Sequence, residues 1–366
     1  MTGRYGYLAE TLRGELVSLG EMPLTDVTYG RVRNGVGEIS ANLALSPKFA
    51  VASAQIDATR RWRVVHVERD HSVMGTYVWW ARRYDRARRR LVLKGAELWS
   101  LVRRVTFART VTYTNVDQAY VASQVLTWLF AQHGADYGIT VTAPSTGRVR
   151  TRSYYSYEQK PVGEIIEQLG AVIDGFDWSL DTTRVGDSIE RSWRLHYPRV
   201  GRPASQNQLI VEVGAAGVEL GSFDEDASDA STRHTAIGAG DGTSMLTATE
   251  IDSLAISRGD PLLDTTASYK DIKVASTLRS HAVRGLFEHQ PLAGIPSVVL
   301  PADYPGAPLG SYVAGDDIRV RVPPRTDPFW PDGLDRPHRI KSWKARPPKD
   351  GEVELVELTF EEVPAA

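Results

Sequence analysis

The chain has 366 residues, of which 42% are apolar and 24% charged, with a formal net charge of −2. That length exceeds one typical core, so roughly two to four domains of ordinary soluble composition are expected, and near-neutrality excludes a global field for nucleic acid or anionic lipid. The absence of cysteine excludes disulfides, thiolate catalysis and cysteine-ligated zinc, so stability must come from packing or assembly.

The opening MTGRYGYLAETLRGELVSLG is charged and broken by glycine, unlike the apolar run of a signal peptide. No stretch of about 18 apolar residues occurs, so no membrane-spanning segment is expected. Residues 29–45, YGRVRNGVGEISANLAL, read as a β-hairpin. Asn34-Gly35 suits its turn, and Ile39, Ala41, Leu43 and Leu45 alternate with Ser40, Asn42 and Ala44. In RRWRVVHVERD, Trp62, Val64 and His66 share one face of a strand, and Val65 and Val67 the other. GTYVWWARRYDRARRRLVLKG predicts a second hairpin, with arms TYVWW and RLVLK and a basic connection.

Near Gly95 the period changes. GAELWSLVRRV fits a short helix with Leu98, Leu101, Val102 and Val105 on one stripe. NVDQAYVASQVLTWLFAQHG predicts a longer one. Asn115 and Gln118 form its capping box, Val121, Val125, Trp128 and Leu129 its apolar face, and Gly134 its stop. A third helix, KPVGEIIEQLGAVIDGF, has Pro161 in its first turn and apolar residues from Val162 to Ile173 at helical spacing. Short strands are expected in GITVTAP, RTRSYYSYEQ, DWSLD and SWRLHYP. VGRPASQNQ is a turn-rich link to further strands in QLIVEVG, VELGSFDED and RHTAIGAGDG. SYKDIKVASTLRSHAVRGLFEH predicts a helix capped by Ser268 and Asp271, burying Ile272, Ala275, Leu278, Ala282 and Leu286. Ile318, Val320 and Val322 then alternate, and HRIKSWKAR and EVELVELTF form a closing pair. A phase slip in the latter predicts a bulge near Leu355 or a strand buried on both faces. The expected fold is mainly β with an α+β insert. Residues 1–95 form part of β-barrel domain I, 96–202 the insert, and 203–300 β-barrel domain II with one helix. Residues 301–366 supply the strands that complete a barrel or small β domain.

Candidate chemistry is weak by comparison. His66, Glu68, Asp70 and His71 invite a metal reading, but ligands at about 7 Å intervals along one strand do not converge, and a solvated strand face is the expectation. GAGDG, residues 238–242, lacks the Lys-Ser or Lys-Thr of a phosphate loop and reads as a hairpin tip. The acidic loop 223–229, with Asp224, Glu225, Asp226 and Asp229, lacks the spacing of a helix–loop–helix calcium site, and whether it holds an ion stays open. Asp174 with Asp177, or Glu164 with Glu167, lie too close along one element to face each other across a glycosidase cleft. No catalytic, cofactor-binding or metal-ligating residue is assigned, so a non-enzymatic protein is expected. The stronger signals concern contact. Arg82, Arg83, Arg86, Arg88, Arg89 and Arg90 crowd one hairpin tip, as a docking element or a solvated loop. Trp79 and Trp80 point to opposite faces of a strand, so one needs a partner domain or subunit. Phe329 and Trp330 lie in the proline-flanked loop DPFWPDG, and Tyr154, Tyr155 and Tyr157 in SYYSYEQ.

Three stretches, VTYGRVRNGVGEISANLAL, LVLKGAELWSLVRRV, and LGSYVAGDDIRVRV with HRIKSWKAR and VELVELTFEE, carry a resemblance. In their order along the chain they resemble the tail hub proteins of long-tailed bacteriophages, also called minor tail, tail-tip hub or baseplate hub proteins, and most closely those of actinobacterial phages. The resemblance implies discontinuous β-barrel domains of phage tail-hub type. It implies a homotrimer whose three copies form a ring of six barrels, matching a six-fold distal tail protein ring. It further implies contacts with the tape measure protein C-terminus and with tail fibre or spike proteins, transient passage of DNA without specific binding, and a virion (tail tip) location after assembly in the host cytoplasm. That family has no catalytic or cofactor residues in this core to carry over, and no fused lysozyme or peptidase module is expected. Two other classes remain: a host-wall carbohydrate-binding adhesin using Trp330, Phe329 or the tyrosines, and a cell-wall hydrolase of the tail tip.

Overall fold

The structure, a computed structural model, describes residues 3–186, 188–221, 227–289, 297–349 and 352–361. The chain opens with β1 (Tyr5–Glu10), β2 (Leu16–Glu21), β3 (Leu24–Val32), β4 (Glu38–Ala44), α1 (Phe49–Ala58), β5 (Val64–Arg69), β6 (Ser72–Asp85) and β7 (Arg90–Glu97). The insert follows as α2 (Trp99–Val102), β8 (Val111–Asp117), α3 (Gln118–Phe130), β9 (Ile139–Thr142), β10 (Val149–Tyr154), α4 (Val162–Gly170), β11 (Asp177–Val185) and β12 (Ser188–His196). Next come β13 (Ile210–Glu212), β14 (Glu219–Leu220), β15 (Arg233–Ile237), β16 (Thr247–Ile251), α5 (Ser253–Arg258), β17 (Asp264–Ser268) and α6 (Ala275–Glu288). The chain closes with β18 (Val298–Pro301), β19 (Asp317–Val322), β20 (Leu334–Arg346) and β21 (Leu355–Glu361).

Strands from both ends share one 13-stranded sheet in the order β14-β18-β21-β20-β3-β4-β7-β6-β5-β1-β2, with β13 and β19 branching from β20. The fold is thus mainly β with an α+β insert, its barrel-type strands discontinuous in sequence. One core runs through both sets, from Tyr29, Leu43, Val65 and Trp79 to Ile318, Ile340, Trp343 and Leu358. A second core, built on Trp99, Val125, Ile166, Trp178 and Trp193, fills the insert. The span 203–300, expected as a second barrel with one helix, is divided. β13 and β14 join the large sheet, whereas β15, β16 and β17 form a separate three-stranded sheet packed on α6 around Ala236, Ile272, Leu278 and Ala282.

Local expectations are corrected at several points. Asp117, not Asn115, caps α3, its side chain accepting from the Ala119 amide at 2.8 Å, because β8 runs up to the cap and Asn115 lies in it. Asp117 also accepts from Ser145 Oγ and the amides of Thr146 and Gly147, which clamps the following loop. α3 ends at Phe130, four residues before Gly134. α4 stops at Gly170, so Ile173 lies outside it and is exposed. α6 starts at Ala275 without a side-chain cap; Ser268 ends β17, and His281 and Gly285 rather than Ala275 face inward. Trp62 precedes β5 at φ 71° and is not part of the strand. The bulge of the closing pair sits on β20 between Ile340 and Ser342, while β21 alternates cleanly with Val356, Leu358 and Phe360 buried.

β20 bridges the two sets. It pairs with β19 and β21, and through Ser342–Ala345 with Tyr29–Val32 of β3. At Gly30 the strands lie so close that a Cβ would stand 2.3 Å from the carbonyl oxygen of Trp343. That neighbour is backbone and cannot turn aside. Gly30→Ala should therefore cost about 1–3 kcal/mol, the range of overpacking. A midpoint of chemical denaturation equal to that of the unaltered protein would show that β3 and β20 are not held at this spacing.

Candidate assembly interface

The insert sits against the barrel strands on ion pairs. β11 begins with Asp177, which is buried beside the β3–β4 turn. Its Oδ1 accepts from Arg33 Nη1 at 2.7 Å and Asn34 Nδ2 at 2.6 Å; its Oδ2 accepts from Arg339 Nη2 at 2.5 Å and the Val200 amide at 2.9 Å. Arg33 also donates to Glu361 at 2.8 Å, and Asn34 Oδ1 accepts from the Trp178 amide at 2.8 Å. Burial alone would raise the Asp177 carboxyl, but the guanidiniums of Arg33 and Arg339, the Val200 amide and Asn34 outweigh it and hold the group below the usual carboxylate range. One carboxylate thus joins hairpin, insert, link and closing strands. Beside it, Arg199 pairs with Asp317 at 2.5 Å and Arg202 with Asp316 at 2.7 Å.

The metal candidates resolve differently from expectation. Val65 and Val67 enter the barrel core, and Val64 enters the insert core, so β5 is covered on both faces. His66, expected on a solvated face, is instead fully buried. Its Nε2 lies 2.8 Å from Glu10, and its Nδ1 shares a 2.8 Å hydrogen bond with Thr76 Oγ1. Arg191 of β12 donates to the same Glu10 at 2.5 Å and to the carbonyls of Leu12 and Tyr137. Glu68 pairs with Arg184 of β11, Asp70 accepts from the Arg4 amide, and His71 lies in the turn at φ 66°. The four do not converge, and no cluster fit for a metal ion exists among the described residues. Of the acidic loop, Asp224, Glu225 and Asp226 lie outside the described residues; Asp229 lies within them.

The glycosidase candidates are partnered. Asp174 lies 3.5 Å from Arg148. Glu167 accepts from Trp99 Nε1 and Arg103 Nε, and Glu164 from Gln168. In GAGDG the amides of Gly238 and Ala239 donate to Leu246 and Ile272 carbonyls, so they are not available to a phosphate. A further joint, invisible to local patterning, links the insert to the β15–β17 unit. Arg152 meets His281 at 3.2 Å and Lys160 pairs with Asp271 at 3.1 Å. Burial, then the charges of Arg152 and Lys160, push the His281 imidazole down to about 3, so it stays neutral.

What remains outward is surface for contact. Trp79 is in the barrel core, and Trp80 finds its partner inside this chain: its Nε1 donates to Ser100 Oγ at 2.8 Å and Trp62 packs edge-on. Arg82, Arg83, Arg86, Arg88 and Arg89 are exposed, with Arg86 over the ring of Tyr84. Phe329 is exposed and Trp330 half-buried. Tyr154 is buried, while Tyr155 and Tyr157 stack at 5.3 Å with Tyr157 outermost. Among the described residues, no helix is long and apolar enough to cross a membrane.

The Asp177 contribution has a definite sign with pH. Its folded carboxyl titrates below the unfolded value near 3.9, so the stabilisation is complete above that value and is lost as pH falls from there through the lower, folded one. Asp177→Asn should cost about 3–5 kcal/mol at pH 7, because two buried guanidiniums lose their counter-charge. The difference from the unaltered protein should shrink toward pH 3. Equal denaturation midpoints at pH 7 would exclude a charge-held seam.

No family model and no curated protein matches the chain. Solved structures do. A tail protein from Neisseria meningitidis is similar at a TM-score of 0.60 and 12% identity, covering 98% of this chain and 96% of that one. The 43 kDa tail protein of prophage MuSo2 from Shewanella oneidensis gives 0.58 at 10% identity, covering 97% and 98%. The prophage tail protein gp18 from Listeria monocytogenes gives 0.54 at 13% identity, covering 96% and 94%. At such identities the likeness is one of fold, and it runs nearly end to end: this chain has the fold of phage tail proteins.

Proposed function

We propose that this chain is a structural virion protein, the trimeric hub at a phage tail tip. In this reading it links the distal tail protein ring, the tape measure protein and fibres or spike, and surrounds the path of ejected DNA. The observation that carries the reading is the end-to-end fold likeness to three tail proteins. Two physical features support it. Among the described residues, the carboxylates considered for catalysis are tied up in ion pairs and hydrogen bonds, Asp177 across the seam between insert and barrel strands and Asp174, Glu164 and Glu167 within the insert. A net charge of −2 also suits a passage that must release DNA, since a basic lining would hold it by counterion release. The finer assignments, to actinobacterial phages, to the tip and to a closed three-fold ring, rest on the sequence resemblance and on the preference of homo-oligomers for closed symmetry. Electron microscopy of assembled tails should find three copies at the tip. A single copy, or a chain repeated along the tube, would overturn the assignment.

A wall-binding adhesin is the second reading. Tyr157 favours it, being 77% exposed and stacked on Tyr155, because an aromatic face can pack on a sugar ring. Lys273 donates to Tyr155 OH at 2.6 Å and steadies the pair. If that reading holds, host wall fragments should bind the protein and Tyr157→Ala should weaken binding at least tenfold. Equal binding by both proteins would remove it.

A further inference from the structure

Two exposed apolar patches of opposite charge lie on different sheets of this molecule. The first surrounds α1 and the tip of the β6–β7 hairpin. Arg82 Nη1 donates to the Ile56 carbonyl at 2.7 Å and Arg89 Nη2 to the Ser46 carbonyl at 3.4 Å, so tip and helix form one surface. α1 buries only Gln55 and Ala58, while Phe49 is 86% exposed and Ile56 40%. Seven positions apart, those two share a helix face. The segment 82–90 holds six arginines against one acid, Asp85.

The second patch surrounds α5, between β16 and β17. This helix of six residues buries none of them. Leu254 is 63% exposed and Leu262 53%, with Ile256 and Leu263 beside them in sequence. The segment 241–264 carries five acids against one base, Arg258; Asp264 pairs with Arg233 and Glu250 with Arg279, so acids still outnumber bases there by five to three. So short a helix has little stability of its own, and Leu254 within it and Leu262 after it stand largely uncovered among the described residues.

We propose that these two patches are the two halves of one interface between copies of this chain: the arginine tip and α1 of one copy receive α5 and its flanks from the next. Charge decides the geometry. A contact of either patch with its own copy would set arginines against arginines, or acids against acids, whereas pairing unlike patches sets opposite charges together around apolar centres. Such a contact is head-to-tail, and it closes into a ring when its rotation divides a full turn. The inference rests on the trimeric reading above and specifies which surfaces make the trimer.

The test uses the full chain and two variants, each confirmed as folded by circular dichroism. Arg83→Glu with Arg86→Glu disables the basic patch; Leu254→Asp disables the other. By sedimentation, the unaltered chain should be a trimer and each variant alone a monomer. Mixed in equal amounts, the variants should form a one-to-one dimer, since each retains the face the other lacks. Because the chain has no cysteine, Arg86→Cys with Asp260→Cys gives a second readout: oxidation should yield cross-linked species that stop at three chains. If the unaltered chain is a trimer and both variants remain trimers without cross-links, this interface is wrong and the trimer stands. If the chain is monomeric in solution and in the particle, both the interface and the trimer fall.

Discussion

The two ends of this chain must meet before its main sheet exists. Arg33 and Glu361 are 328 residues apart in sequence yet 2.8 Å apart in the fold, and the β3–β20 pairing lies beside them. Closing so long a loop costs conformational entropy, which local contacts cannot repay. The pairing therefore depends on what stands at the seam: a glycine where the strands press together, and a buried carboxylate that collects four donors from three segments. Remove that junction and the strands before and after the insert become two unfinished sheets with open edges.

The seam also explains the balance between arginine and lysine. The chain has only eight lysines among its 43 basic residues. A bias in coding composition would scatter arginines without regard to geometry. Many instead use the fork of the guanidinium to reach two groups at once. Arg33 spans Asp177 and Glu361, Arg339 spans Asp177 and the Val200 carbonyl, and Arg191 spans Glu10 and two carbonyls. A lysine at any of these places would bring a point charge and leave one partner unpaired. The arginines of the β6–β7 tip are different, for they point outward where most find no such fork.

Periodicity made the strands and their facing legible. The hairpin around Asn34-Gly35, the alternation through Val64–Val67 and the closing pair all stand where period two places them. What periodicity does not carry is what covers the second face. His66 reads as solvated from β5 alone, and only the insert, more than a hundred residues later, buries it. Trp80 posed the same question, and Ser100 and Trp62 answer it within the chain. α1 is not legible in the sequence because it buries a glutamine and an alanine and shows its phenylalanine to solvent, the reverse of an amphipathic signal. By its spacing from Asp174, Asp177 reads locally as one of a carboxylate pair. Its true partners, Arg33 in the β3–β4 turn and Arg339 on β20, lie where no local window joins them to it.

Buried ion pairs are a costly way to gain stability, because desolvation consumes most of the attraction. Their value here is orientation. Apolar packing between the insert and the barrel strands tolerates small rotations, since contact area changes little as two greasy surfaces slide. A carboxylate held by two guanidiniums, an amide side chain and a backbone N–H does not, because each donor must keep its direction. The His66–Glu10–Arg191 group and the hydrogen bond from Arg31 to the Leu180 carbonyl fix the same interface at other points. In the trimeric reading proposed above, a body repeated around an axis needs this rigidity more than it needs surplus stability. An angular error between its parts would be multiplied at every contact, and a ring that misses closure by a few degrees becomes a helix.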